Sequence, residues 1–324
     1  MIGKRDKNLV FTPDHICDFI CKVLGIGKYS RILDPCCGDG NFLIRAMTNA
    51  INDCETNDER DNIIKNHIYG IEFDNNVFDL ATTNMTNYGC EVSNIVHDSM
   101  FNCSDWIESA NINIVFINPP YNATKQNCNP EYIKSWKTSQ KEDPSKGFHF
   151  VEWVCDHVSS NCKVAALLPM QTAIGNSDEL KKYKKRMLEK YTLDAVFSLP
   201  SELFFPDASA VICCMVFDLS KSHKSDKETF FGYFKDDGFE KRKGVGRVDV
   251  RNKWNATQEK WLALYTNRLT VAGISVSHHV EASDEWCAEA YMETDYSTLT
   301  DEDFQKTLNN YLAYLIKGGH IYES

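Results

Sequence analysis

The sequence predicts an α/β fold: seven strands in a mainly parallel sheet, helices on both faces, and a small helical extension at the C-terminal end. Two observations carry that prediction. From about residue 14 to residue 219, short apolar runs alternate with amphipathic stretches of helical period, the pattern of strands joined by crossover helices. The charged stretch 220–227, Ser-Lys-Ser-His-Lys-Ser-Asp-Lys, then breaks the alternation. The chain beyond it is shorter and ends in a helical pattern over 301–316, introduced by Leu299-Thr300. The expected division is a main domain over residues 1–222 and an extension over 223–324.

The elements come in order along the chain. Thr12 can cap a helix over 14–24, and Pro13 suits its first position, where no N–H is needed. Residues 31–33 form the first strand, and a helix over 41–50 comes after the turn Asp34-Pro35-Cys36-Cys37-Gly38-Asp39-Gly40. Strands two to four fall at 68–71, 94–97 and 112–117, with a helix over about 75–88 after the second. The polar, Pro-containing stretch 122–146 is expected to be a mobile loop. A helix over 147–158 leads to strand five at 164–168, and a helix over 178–191 to strands six and seven at 193–199 and 210–218.

Composition narrows the class. The chain has 324 residues, 43% apolar and 25% charged, enough to build a core. No apolar run approaches the ~20 residues of a membrane-spanning helix, and residues 1–8 lack the apolar stretch of a leader. The thirteen cysteines, an odd number that includes the neighbours Cys36-Cys37 and Cys213-Cys214, fit buried thiols in a reducing cytoplasm. Cys17 and Cys21 share a helix face, yet nothing completes a zinc set, and no metal is expected. The net charge of −11 argues against a chain that holds nucleic acid by overall charge. The charge is uneven. Lys181, Lys182, Lys184, Lys185 and Arg186 form one basic cluster, and Lys241, Arg242, Lys243, Arg247 and Arg251 another; both read equally as solvated faces, and the second is the better candidate for phosphate contact. The stretch from Glu281 to Asp303 is acidic with no Lys or Arg, a plausible protein-docking surface.

Four constellations carry chemistry. The glycines of the turn 34–40 either simply permit a tight turn or let a ligand approach the backbone at a helix N-terminus, where Asp34 suits an ammonium such as that of S-adenosylmethionine. Glu72, in Gly70-Ile71-Glu72-Phe73-Asp74, ends the second strand and suits ribose hydroxyls, with Asp74 as a helix cap. Asp98, in His97-Asp98-Ser99, ends the third and could accept from an adenine amine. Three consecutive acid-bearing strand ends imply an adenosine-containing ligand. Asn118-Pro119-Pro120-Tyr121 ends the fourth. Its prolines fix the backbone, so that the Asn118 side-chain oxygen and the Pro119 carbonyl can both accept from one planar NH2 group, and Tyr121 offers a flat face.

With these residues in place, the chain resembles gamma-class amino-methyltransferases, and most closely the modification subunits of type I and type I-like restriction–modification systems. Phe11-Thr12-Pro13 resembles that family's cofactor segment. The turn at 34–40 with Asn41-Phe42-Leu43 is similar to its glycine signature, with Asp39 where serine is common, and Leu167-Leu168-Pro169-Met170 to its fifth-strand end. The stretch 199–206, Leu-Pro-Ser-Glu-Leu-Phe-Phe-Pro, resembles the segment whose aromatic faces a flipped base opposite Tyr121, and 231–239 the strand and turn after it.

The resemblance implies a Rossmann-like, S-adenosylmethionine-dependent methyltransferase sheet over 1–222. It implies cofactor contacts at Phe11, Thr12, Pro13, Asp34, Cys36, Gly38, Asp39, Gly40, Asn41, Phe42, Glu72, Phe73, Asp98, Ser99 and Asn118. The catalytic residues would be Asn118, Pro119, Pro120 and Tyr121, with Tyr121 and Phe204 or Phe205 stacking on the base. The implied reaction is methylation of adenine N6 in double-stranded DNA, adenine rather than cytosine because asparagine leads the tetrapeptide. The implied partner is a separate specificity subunit, in an assembly of two modification chains with one specificity chain, or a homodimer. Chains of this resemblance that act alone carry a recognition domain after the last motif; here about a hundred residues remain, so target reading is expected on another chain. Two rivals stand beside this reading: a glutamine-N5 methyltransferase of release factors, which uses the same tetrapeptide, and a non-catalytic scaffold subunit.

Overall fold

A computed structural model of the chain describes residues 10–296 and 300–317. The N-terminal residues 1–9, where a leader is not expected, and Leu299 lie outside them.

One sheet organises the molecule. Its strands are β1 (Ile32–Asp34), β2 (Ile68–Glu72), β3 (Ile95–His97), β4 (Ile114–Ile117), β5 (Lys163–Pro169), β6 (Thr192–Ser198), β7 (Ile212–Asp218), β8 (Glu228–Tyr233) and β11 (Ser275–His279). Strands β9 (Glu240–Arg242) and β10 (Gly246–Val248) form a separate antiparallel hairpin. Across the sheet the order is β11-β8-β6-β7-β5-β4-β1-β2-β3. Pairing is parallel except where β7 meets β5 and β6 and where β11 meets β8. The sheet therefore has nine strands rather than the expected seven. The stretch 220–227 is the turn from β7 to β8, and β8 pairs in parallel with β6, so the sheet continues past the polar break. Phe230 and Phe231 explain why: both are fully buried, which an edge strand standing apart could not achieve.

The strand order reverses between β1 and β4, because the chain runs outward through β2 and β3 and then returns to the other side of β1. In open α/β sheets ligands sit beyond the carboxyl ends of the strands at such a point. Side chains alternate between two cores. Ile32, Ile114 and Phe116 face the layer with the helices Asp14–Leu24, Asn41–Asn52 and Trp254–Thr266. Leu33, Val115 and Ile117 face the layer with Phe148–Cys155 and Asp178–Lys190. Cys17 and Cys21 are buried on the first helix. Among the described residues no helix is long and apolar enough to cross a membrane.

The stretch 122–146, expected to be a mobile loop, is tied down instead. It contains helical turns at Lys125–Asn127 and Pro130–Ile133, and Thr124 bridges to Glu142. Its anchor is Asp143, fully buried. The Asp143 carboxylate accepts from Tyr132 Oη at 2.7 Å, from the N–H and Oγ of Ser145 at 2.8 Å, and from the Gly147 N–H at 2.8 Å. A buried carboxylate with that many donors is satisfied, and it fixes the backbone around it.

The acidic stretch after Glu281 is folded onto the body over its first part. Trp286 is fully buried, its backbone N–H donates to the Ala173 carbonyl, and Lys184 Nζ donates to the Asp284 carbonyl at 2.9 Å. The helix Asp301–Lys317 behind it is exposed from Asp301 to Tyr314.

Candidate active site

The carboxyl ends of β1 to β4 surround one cleft of about 710 Å³, within the range of sites for small ligands. Its wall brings together Phe11, Thr12, Asp34, Cys36, Gly38, Asp39, Asn41, Phe42, Glu72, Phe73, Asp98, Ser99, Asn118, Pro119, Pro120 and Tyr121. Four residues singled out in the sequence lie off that wall. Pro13 precedes the first helix, and Gly40, at φ 79°, starts the second. Phe204 is buried in the core, whereas Phe205 is 38% exposed, so of the two aromatic candidates only Phe205 presents a ring to the surface.

Asp34 is 2% exposed. One oxygen accepts from the Cys36 N–H at 3.0 Å, and no cation among the described residues pairs with it. Burial pushes its carboxyl well above the usual carboxylate range, and the neighbouring Glu72 and Asp39 push in the same direction. A carboxylate so placed costs free energy until a positive ligand group reaches it. Glu72 bridges two turns, accepting from the Gly38 N–H at 3.0 Å and the Asp74 N–H at 2.8 Å. Burial raises its pKa even against those two donors. Asp74 caps the following helix through the Asn76 and Val77 N–H groups. Asp98 stays exposed and takes the Ser99 N–H at 2.6 Å and Asn102 Nδ2 at 2.8 Å.

The tetrapeptide is held from two sides. Asn118 Nδ2 donates to Thr12 Oγ1 at 3.3 Å, and Tyr121 Oη donates to Asn118 Oδ1 at 2.7 Å. These contacts set the amide, with nitrogen toward Thr12 and oxygen toward Tyr121. Thr12 is itself anchored, since its carbonyl accepts from Asn41 Nδ2 at 3.1 Å. Burial raises the Tyr121 pKa, so its hydroxyl is a neutral donor. The amide oxygen can exchange that donor for another N–H without moving its frame.

Gly147 abuts the tetrapeptide. Its φ is +92°, and a Cβ there would come within 2.8 Å of Pro119 Cγ. Gly147→Ala should therefore cost about 1–3 kcal/mol in urea unfolding, from the strained φ and the clash together, and should lower activity by displacing Pro119. Unchanged stability and activity would show that the Pro119 position tolerates the shift.

Sequence reasoning missed Val10, Asn76, Val77, Met100, Phe116, Thr124, Gln126, Asn127 and Phe150 on the wall. Asn127 Oδ1 is buried with no hydrogen-bond partner, an acceptor left for a ligand. No linear signal marks it, because its place depends on Asp143 folding the stretch around it. The donor set as a whole suits an adenosine ligand with an ammonium group: a buried uncompensated acid, acids at the next two strand ends, and the half-exposed ring of Phe73.

Comparison with known proteins decides the family. Residues 3–315 match the model of the family described as N-6 DNA Methylase. The chain belongs to that family. The chain is 30% identical over 316 residues to the type II restriction enzyme and methyltransferase RM.BcgI of Heyndrickxia coagulans, covering 96% of this chain and 47% of that protein. It is 26% identical over 200 residues to the type I restriction enzyme EcoEI methylase subunit of Escherichia coli, covering 60% of this chain and 39% of that one. The chain thus spans less than half the length of these relatives. Among solved structures, the type I methyltransferase subunit of Streptococcus thermophilus superposes with a TM-score of 0.65 at 19% identity, over 88% of this chain and 60% of that one. That similarity shows a shared fold.

Proposed function

We propose that the chain methylates N6 of an adenine turned out of duplex DNA, with S-adenosylmethionine as methyl donor. The observation that carries this reading is the framed Asn118 amide on the wall of a cleft also lined by Asp34, Glu72 and Asp98. When bound, the donor supplies an electrophilic sulfonium methyl. Asp34 would hold its ammonium and Glu72 its ribose, with Phe73, Asp98 and Asn127 around its adenine. Turning out the target base costs a few kcal/mol in stacking and pairing. The rings of Tyr121 and the exposed Phe205 can return part of that cost by stacking.

Asn118 Oδ1 would exchange the Tyr121 hydroxyl for an N6 hydrogen, and the Pro119 carbonyl would take the other. Both acceptors favour positive charge developing on the nitrogen as the donor sulfur leaves as a neutral thioether, and the surplus N6 proton would pass to water, so the chain's contribution is positioning and electrostatics, with no covalent enzyme intermediate. The physics serves a cytosine amine as well; the family supports adenine. The free, mostly buried thiols favour the reducing cytoplasm as its location.

A separate specificity chain would supply target reading. Two features favour this. Relatives of this chain are subunits of type I restriction enzymes, and one solved neighbour concerns assembly of the type I restriction–modification system. The helix Asp301–Lys317 also presents Phe304, Leu308 and Tyr311 on its exposed surface, at the 4- and 3-residue spacing of a helix-packing seam. Phe304→Ser with Leu308→Ser should abolish co-purification of such a chain while leaving cofactor binding intact; retained co-purification would remove this docking role.

The reading is tested by offering methyl-labelled cofactor to a mixed duplex-DNA pool and, in parallel, to a glutamine-containing release-factor peptide. Label in the duplex is expected. Label in the peptide alone would replace this reading with the glutamine rival, and label in neither, with a specificity chain present, would leave a scaffold.

A further inference from the structure

The two basic clusters of the sequence have different fates in the folded chain. On the helix Asp178–Lys190, Lys184 is buried, with its ammonium on main-chain carbonyls and over the ring of Trp286. Arg186 is spent on both oxygens of Glu152, and Lys185 reaches Glu189 on its own helix. In that cluster Lys184 and Arg186 serve the fold, whereas Lys182 and Lys185 stay exposed on the helix surface.

The second cluster stands out on the β9–β10 hairpin. Lys241, Arg242 and Lys243 are all exposed, and the tip after them is Gly244-Val245-Gly246. Both glycines have positive φ, 76° and 99°, which lets the chain turn sharply, and Val245 is 73% exposed. An exposed basic finger of this kind would flex unless anchored, and it is anchored. Asp237, 1% exposed, takes two guanidinium nitrogens of Arg247, at 2.6 and 2.8 Å, and His15 Nε2 at 3.0 Å. His15 stacks on Phe239 at 3.8 Å between ring centres. The hairpin is thereby fastened to the helix that begins just after Thr12.

Its position is as telling as its charge. Lys241 lies over the face of Phe205 at 4.6 Å and pairs with Glu202, and a Cβ on Gly246 would meet the Phe205 carbonyl at 3.8 Å. The hairpin thus stands against the segment that leaves the carboxyl end of β6. Because β6 and β5 both run antiparallel to β7, and β4 runs parallel to β5, that end lies at the same sheet edge as Asn118. The remaining contacts of these cations are exposed pairs, Arg242 and Arg251 on Glu240, which contribute little and exchange readily for phosphate.

We propose that the β9–β10 hairpin is a duplex-DNA contact, with Lys241, Arg242 and Lys243 neutralising backbone phosphates beside the base that enters the cleft. This rests on the DNA substrate proposed for the cleft.

The test is fluorescence anisotropy of the full chain on a labelled mixed-sequence duplex of about 30 base pairs, titrated across salt concentrations. Lys241→Ser, Arg242→Ser and Lys243→Ser together should weaken binding roughly 10–100-fold at low salt and flatten the log–log salt slope by about 2–3. The comparison variant carries Lys181→Ser, Lys182→Ser and Lys185→Ser, which removes the same charge elsewhere, and it should bind like the unaltered chain. Equal loss in both variants would make the effect one of net charge and overturn the proposal. Unaltered binding and slope in the hairpin variant would also overturn it, while leaving the DNA reading intact. No duplex binding by the unaltered chain would overturn it as well; label transfer to the glutamine peptide would then show that the DNA reading itself had failed.

Discussion

Asn118→Ala is expected to lower methyl transfer by roughly 10²–10³-fold, the usual cost of removing one preorganised acceptor or donor at a reacting centre. Cofactor affinity should change little, because the Asn118 amide spends its nitrogen on Thr12 and its oxygen on Tyr121. The two functions of Tyr121 separate in the same assay. Tyr121→Phe keeps the ring and frees Asn118 Oδ1, so it should retain most activity. Tyr121→Ala removes the ring and should lose most of it. If Tyr121→Phe were as inactive as Tyr121→Ala, the hydroxyl rather than the ring would be the working group. Equal losses of cofactor affinity in all three variants would contradict the division of roles.

Asp34→Asn should have two opposite effects. The carboxylate is buried, faces no cation among the described residues, and sits near Glu72 and Asp39. Asparagine preserves the acceptor for the Cys36 N–H and removes the charge. The ligand-free protein should therefore gain about 1–2 kcal/mol in urea unfolding. Cofactor binding should weaken by about 2–4 kcal/mol in calorimetry, because a buried charge partner is lost. The pH dependence has a definite sign. Burial raises the Asp34 pKa, so on acidification it takes up its proton before an exposed carboxylate would, and affinity should fall as pH is lowered. In Asp34→Asn that part of the fall should vanish. A variant that is less stable and binds cofactor normally would mean that Asp34 serves the fold rather than the ligand.

Much of the site is legible in the sequence because its residues end strands. A parallel sheet delivers every strand's carboxyl end to one edge, so Asp34, Glu72, Asp98 and Asn118 converge whatever the loops do. Phe204 and Phe205 show the limit of that logic. They are adjacent and chemically alike, and only packing decides that one enters the core and the other faces solvent. The order in the stretch 122–146 escapes the sequence for a related reason. Its polarity suggests a loop, but Asp143 gathers donors from Tyr132, Ser145 and Gly147, a convergence that exists only once the stretch is folded.

The helix Asn57–Asn66 does leave a trace in the sequence. Thr56 and Glu59 form a capping box, with the Thr56 hydroxyl accepting from the Glu59 N–H and the Glu59 carboxylate accepting from the Thr56 N–H. Its apolar face is slight, with Ile63 alone fully buried, so periodicity gives little to read. The resemblance implies a strand within 231–239 but not its place in the sheet, and β11 is not read at all, because β8 and β11 join at the far edge, a choice made by partner strands distant in sequence.

The most direct measurement is nucleoside mass spectrometry of duplex DNA incubated with the chain and S-adenosylmethionine, in the presence of a co-purified specificity chain. N6-methyl-2′-deoxyadenosine should appear with the unaltered protein and fall to background with Asn118→Ala. A methylated cytosine in its place, or equal N6-methyladenine from Asn118→Ala, would contradict the account.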